Sequence, residues 1–283
     1  MDPMRIILLG ESDVGKSHYG AQLLMRLNQK RHALKMRGAA KNISAFEEVT
    51  RALNEGKSAG HTARATYLKS EWPVIDEYGQ AIDLEWPDYG GEQVKQLIDQ
   101  RQIPEDWRDR LIDSKGWLLM VRIQQSAVED DSFSRPLADI RNKPAPGQKN
   151  EIRQSSQARL VELLQILLFI RGVGTSMLID QPALMVMLSC WDELGTEGEE
   201  NTPVVMLAKR LPLLASFVNS NWATERVSIV GLSALGRPLQ PDSADEAYVN
   251  EGPEQFGYVV NADGTRTPDL SVPVANLAAM VGR

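Results

Sequence analysis

Residues Gly10, Glu11, Ser12, Asp13, Val14, Gly15, Lys16 and Ser17 follow one another in the pattern G-x-x-x-x-G-K-S/T. Those types at that spacing suit the binding of a nucleotide's phosphates. The glycines let backbone N–H groups turn inward around phosphate oxygens. Lys16 places a positive charge on the β- and γ-phosphates, and the hydroxyl of Ser17 offers an oxygen ligand to Mg²⁺. The loop must open a helix, whose N-terminal dipole favours the same anion. Gly10 through His18 are therefore the candidate phosphate-contacting residues. The plainer reading is a glycine-containing turn with a chance Lys-Ser pair. The flanks decide against it, because "MRIILLG" (4–10) reads as a buried strand and "SHYGAQLLMRLNQ" has helical spacing.

Two further groups carry the chemistry that such a loop needs. A phosphate loop requires an acidic residue near Mg²⁺ at the end of a neighbouring strand. "DLEWPDYGGE" supplies Asp88, followed at D-x-x-G spacing by Gly91. Asp88 would hold Mg²⁺ through a bound water, and the Gly91 N–H could contact the γ-phosphate. Asp and Gly are also common in ordinary turns that end strands. Further on, "MVMLSCWDEL" sets Asp192 just beyond a buried strand. A carboxylate there can accept hydrogen bonds from both N1 and N2 of guanine, a pair of donors that adenine lacks. The next strand ends in "VGLSALG", where the Ser233–Ala234 backbone could touch the base's O6. The plainer role for Asp192 is a helix cap, and for Ser233 an ordinary loop residue.

The elements around these groups alternate. Strands are expected at 4–10, 116–124, 183–190 and 226–235, and a helix over 45–56 stopped by Gly56. Residues 30–60 as a whole read as one or two helices. A hairpin is expected on either side of "DEYGQ" (76–80). A helix is expected at 156–172, and "VVMLAKRLPLLASFVNS" reads as one more. A short helix closes the tail. The order implies an α/β fold, with a mostly parallel sheet, one antiparallel strand and helices on both faces. It also implies one domain over 1–283, with a polar insertion near 126–155 and a C-terminal extension over 236–283.

Bulk properties narrow the class. The net charge of −7 argues against non-specific binding to nucleic acid or an anionic membrane, which both require basic surface. The single cysteine, Cys190, allows no internal disulfide, and no signal peptide is evident, so a cytoplasmic location is expected. "LLQILLFI" (163–170) is far shorter than the roughly 20 apolar residues that span a bilayer. His18, His32 and His61 are scattered and share no zinc-like spacing. Cys190 is expected as inert core. Trp72, Trp86 and Trp117 are expected in the core, and Trp107 half-buried.

With these motifs in order, the chain resembles a Ras-like P-loop GTPase of the TRAFAC class. "GESDVGKS" is similar to the first motif of that class, "DYGGE" to the third, "SCWD" to the fourth and "SAL" to the fifth. The likeness covers about 4–235. "WPDYGGEQ", "ALNEGKSAGHT" and "ADGTRTPDLSVPVANLA" resemble more narrowly the bacterial double-GTPase families of presumed conflict and defence systems. The resemblance implies a GTP/GDP-binding, Mg²⁺-dependent switch that hydrolyses GTP and works with a second GTPase or an effector protein.

Site roles follow from the same resemblance. Switch I must give a threonine to Mg²⁺ and the γ-phosphate, and both Thr62 and Thr66 are candidates, with Thr62 the better match to the narrower family. Arg64 between them could reach the transition state, although a solvated loop cation is the plainer reading. Glu92 stands where the class places its water-positioning residue. Unlike glutamine it has no N–H to donate toward the developing phosphate charge, so slow hydrolysis is expected. The fourth motif has Ser189 and Cys190 where Asn/Thr and Lys are usual, which leaves base reading to Asp192, with Trp191 able to compensate by stacking. The alternatives are an ATP-dependent P-loop kinase or ATPase, and a nucleotide-binding scaffold without hydrolysis. A kinase would carry an Arg-rich lid, whereas 126–155 holds only Arg135, Arg141 and Arg153.

Overall fold

The computed structural model describes residues 3–27, 29, 32–60, 70–86, 97–103, 105–124 and 155–282. Among them nine strands form one sheet, in the order β2-β3-β4-β1-β5-β6-β7-β8-β9. Its centre is β1 (Met4–Leu9), β4 (Ala81–Trp86), β5 (Gly116–Arg122), β6 (Ala183–Ser189) and β7 (Val227–Ser233), all parallel. Strands covered on both faces should be apolar throughout rather than alternating. β6, "ALMVMLS", is buried at every position. Alternate residues feed opposite faces. Ile6 and Leu8 join one core cluster, and Ile7 and Leu9 join the other.

Helices cover both faces, as expected. On one side lie α1 (Lys16–Leu27) and α2 (Ser44–Asn54). On the other lie α3 (Glu105–Asp113) and α4 (Ser156–Arg171), followed by a short α5 (Thr196–Glu200) and then α6 (Pro203–Arg210) and α7 (Pro212–Asn221). α4 ends at Gly172 in the left-handed region, φ 72°, where its N–H bonds back to Leu168 and Phe169. The single helix expected over "VVMLAKRLPLLASFVNS" is in fact α6 and α7. Pro212 lacks an N–H and disfavours helical geometry at Leu211, so the chain breaks there and restarts.

The hairpin is present as β3 (Ser70–Asp76) against β4, with register Ser70↔Trp86 to Ile75↔Ala81. Residues 30–60 hold a strand as well as a helix. β2 (Leu34–Met36) pairs with β3, and three residues are too few to show an alternating pattern. The strand over 226–235 is not the last of the sheet. The tail continues through α8 (Glu246–Glu251) and adds β8 (Tyr258–Val260), antiparallel to β7, then β9 (Arg266–Thr267). The sheet thus carries a second antiparallel strand, β8, besides β3. α9 (Val272–Gly282) closes the described chain. Trp72, Trp86 and Trp117 are core as expected, and Trp107 is fully packed rather than half-buried, at 6% exposure. The insertion expected near 126–155 lies outside the described residues except for Ser155, which caps α4 through Ala158.

The tail is tied to α1 by buried polar contacts. Tyr19 donates to the Leu270 carbonyl at 3.0 Å, and Gln22 donates to Tyr248 Oη at 2.6 Å and to the Pro253 carbonyl at 3.1 Å. Arg26, 2% exposed, donates to the carbonyls of Gln22, Glu254 and Phe256 and to the Gln22 side chain. Burial lowers the Arg26 pKa to about 10, so the group stays charged at neutral pH and depends on those acceptors. Arg26→Ala should therefore cost about 3 kcal/mol, since it strips several charge-assisted bonds from buried carbonyls. Urea denaturation measures this. A loss under about 1 kcal/mol would mean that water replaces the guanidinium freely.

Candidate functional site

β1 sits where the chain changes direction across the sheet. β2 to β4 lie on one side and β5 to β7 on the other, and in open α/β sheets ligands bind beyond the strand ends at such a point. The loop 10–15 occupies that position. At Gly10 any Cβ would lie 2.9 Å from the Met120 carbonyl oxygen on β5, which explains the need for glycine. Gly15 takes φ 85°, and α1 begins at once, with Tyr19 N–H bonding to the Gly15 carbonyl at 2.9 Å. Lys16 Nζ turns back over the loop, donating to the Gly10 carbonyl at 2.9 Å and to the Glu11 carbonyl. Asp13 is left-handed at φ 62°, a conformation that Asp tolerates better than most residues.

A cavity of about 700 Å³ opens on this loop, a size typical of small-molecule sites. Ser12, Asp13, Gly15, Lys16, Ser17 and His18 line one part of it, and Asp192 and Ala234 another. The structure thus brings the first, fourth and fifth motifs to one cavity. Gly10, Glu11 and Val14 do not line it. Val14 is core, and the Glu11 carboxylate receives Arg159 of α4 at 3.0 Å. His18 accepts the Ala59 N–H on Nε2 at 3.2 Å, and burial lowers its pKa, which keeps it neutral. It thereby anchors the segment before residue 61. Thr62, Arg64, Thr66, Asp88, Gly91 and Glu92 lie outside the described residues.

Ser233 stands behind Asp192 rather than in the cavity. It is fully buried, donates to Asp192 Oδ1 at 2.6 Å and accepts the Gly236 N–H at 2.9 Å. The fifth-motif loop is pressed against the tail. Gly257 has φ 93°, and a Cβ there would meet the Ala234 carbonyl oxygen at 2.6 Å. Cys190, left-handed at φ 54°, lines the cavity, and burial pushes its thiol up to about 12, so it is protonated and no nucleophile. Trp191 is not placed to stack on a base. It is 1% exposed, its ring lies against Gly231, and its N–H bonds to the Gly198 carbonyl at 3.1 Å. The ring fills the core beneath the fourth motif instead.

Sequence reasoning missed four charged residues. Arg122, which ends β5, holds Glu193 through Nε at 3.1 Å and reaches the Asp13 carbonyl at 3.3 Å, so it links the first and fourth motifs. Arg159 braces Glu11, and Arg237 lines the cavity. For Arg122 and Glu193 there was a faint signal: a charge ending an apolar run, and a second carboxylate beside Asp192. The cavity is lined by charged groups of both signs, with Asp13 and Lys16 at the loop and Asp192, Glu193 and Arg237 around the far motifs. It suits a ligand with an anionic end and a hydrogen-bond-donating end.

Comparison with known proteins follows the same line. The family model described as Double-GTPase 1 matches residues 7–277. No curated protein matches the chain. Among solved structures, the S. cerevisiae Ski7 GTPase-like domain, bound to GDP and inorganic phosphate in one structure and to GTP in another, is similar at 14% identity and a TM-score of 0.44. That likeness covers 82% of this chain and 43% of that chain. The bacterial selenocysteine-specific elongation factor EF-Sec is similar at 12% identity and a TM-score of 0.36, over 83% of this chain and 26% of that one. The chain therefore spans less than half the length of either.

The Ser233–Asp192 bond gives a specific expectation. Ser233→Ala leaves Asp192 free to rotate away from its aimed position, and nucleotide affinity should fall about tenfold with the fold intact. Titration calorimetry with GDP, beside a thermal melt, checks it. Unchanged affinity would mean that Asp192 is aimed by other contacts.

Proposed function

This chain belongs to the Double-GTPase 1 family and is a GTPase, and on that premise we propose that it is a Mg²⁺-dependent molecular switch working with a second GTPase or an effector in a bacterial conflict or defence system. The observation that carries the reading is one cavity lined by Lys16 and Ser17 as well as by Asp192, whose carboxylate Ser233 aims. In this reading residues 1–283 form one domain, and the protein acts in the cytoplasm. No helix among the described residues is long and apolar enough to cross a membrane.

Lys16 and the inward N–H groups of the loop hold the β- and γ-phosphates. Asp192 accepts from N1 and N2 of guanine, while the Ala234 backbone meets O6. Ser17 lines the cavity beside Lys16, and its hydroxyl is a hard oxygen of the kind that Mg²⁺ takes. Ser17, Asp88 through a water, and Thr62 or Thr66 would hold it. When bound, Mg²⁺ neutralises charge on the phosphate oxygens. Gly91 senses the γ-phosphate, and residues 60–70 and 88–100 change conformation with it.

In this reading Glu92 is the residue that meets the attacking water, with a carboxylate and no N–H. It therefore orients the water without stabilising charge on the γ-phosphate. Hydrolysis is accordingly slow in the isolated chain and is accelerated by a cation that a partner supplies. Two measurements test the reading. Asp192→Asn should abolish the preference for GDP over ADP, whereas wild-type protein that binds ADP as tightly as GDP, or more tightly, contradicts the guanine assignment. Single-turnover hydrolysis by the isolated chain should be slow, and fast turnover without partner contradicts the role given to Glu92.

A further inference from the structure

We propose that Arg237 lays its guanidinium against the purine ring, supplying from the tail the cation that the fourth motif lacks at Cys190. The inference rests on the reading of the cavity as a guanine-nucleotide site. Cys190 lines that cavity with a neutral thiol, so no positive charge comes from that motif. The other described arginine and lysine side chains at the cavity are engaged at the phosphate loop. Lys16 lies over the carbonyls of Gly10 and Glu11, and Arg122 is held by Glu193 and by the Asp13 carbonyl. Arg237 stands elsewhere, on the loop that leaves Ala234, where Leu235, Pro238 and Leu239 also line the cavity.

Its surroundings hold the guanidinium in place. The guanidinium carbon lies 4.6 Å from the centre of the Phe256 ring, and Phe256 is itself stacked on Tyr248 at 4.4 Å and 19°. Nη1 lies 3.4 Å from Asp245 Oδ2. The cation thus rests over an aromatic ring while its residue lines the cavity, and a guanidinium attracts a further flat π-system, of which a purine is one. The loop is also held in register with the base-reading carboxylate, because Gly236 N–H donates to the hydroxyl of Ser233 that aims Asp192. It is zipped as well to the segment before residue 61: Ser58 N–H donates to the Gln240 carbonyl at 3.2 Å, and Asp245 N–H to the Gly56 carbonyl at 2.9 Å. Val49 and Ala59 bring an apolar wall to the same cavity. Stacking recognises any purine, so Arg237 adds affinity while Asp192 adds the choice of base.

The test is equilibrium binding of GDP, ADP and Mg²⁺·tripolyphosphate to wild type, Arg237→Ala, Arg237→Lys and Asp192→Asn. Arg237→Ala should weaken GDP about tenfold and ADP by a similar factor, while tripolyphosphate, which has no ring, binds as before. GDP affinity within twofold of wild type overturns the inference, and so does an equal loss for tripolyphosphate, which would mark a general disturbance of the cavity. Should Arg237→Ala fail to fold, Arg237→Lys decides. It keeps the charge and the stem but not the plane, so GDP should bind several-fold more weakly, and unchanged binding overturns the inference. Asp192→Asn separates the two levels. If it leaves the GDP/ADP ratio unchanged, the guanine reading fails, whatever Arg237 does. If it abolishes the ratio while Arg237→Ala binds GDP normally, only this inference fails.

Discussion

Lys16 folds back over the carbonyls of Gly10 and Glu11, and the rest of the site is built around that tight loop. It requires β1 to end and α1 to begin within a few residues, with the turn pressed so close to β5 that no side chain fits at Gly10. The loop therefore depends on the sheet register that fixes β1 beside β5, Ile6↔Gly116 to Leu9↔Leu119, and on whatever holds α1 in place. That second support comes from far along the chain. Tyr19, Gln22 and Arg26 bind α1 to residues between 248 and 270. Residues 248–270 in this sense support the loop without lining the cavity.

The same economy appears at the other end of the cavity. Asp192 follows a strand buried at every position and is aimed by Ser233, which ends the next strand. Two parallel strands with fixed register, Ser189↔Leu232, bring the two residues together. Trp191 fills the space beneath the turn against Gly231, which leaves the carboxylate as the group of its motif free of packing duty. Arg122 and Glu193 then bridge the fourth motif to the phosphate loop. The two ends of the cavity are thus mechanically joined.

Much of this was legible in the sequence, for identifiable reasons. The phosphate loop is contiguous, and its spacing is dictated by the ligand. Buried parallel strands announce themselves as apolar runs, so β1, β5, β6 and β7 and the residues at their ends could be placed, as could the hairpin with its Gly79 turn. What escaped notice depends on partners distant in sequence or on elements too short to have a period. Arg159 meets Glu11 across 148 residues, and β8 has three residues. An aromatic beside a binding motif looks the same in sequence whether it faces ligand or core, and Trp191 faces the core. The apolar spacing over 204–220 predicts one helix, but Pro212 divides it.

The central claim is that one cavity takes phosphates at Lys16 and a guanine edge at Asp192. A crystal structure of the chain with Mg²⁺ and GDP tests it most directly. The account predicts phosphate oxygens within hydrogen-bonding reach of Lys16 Nζ, and N1 and N2 of the base on the Asp192 carboxylate. A base turned away from Asp192, or a nucleotide bound outside the cavity, would contradict it.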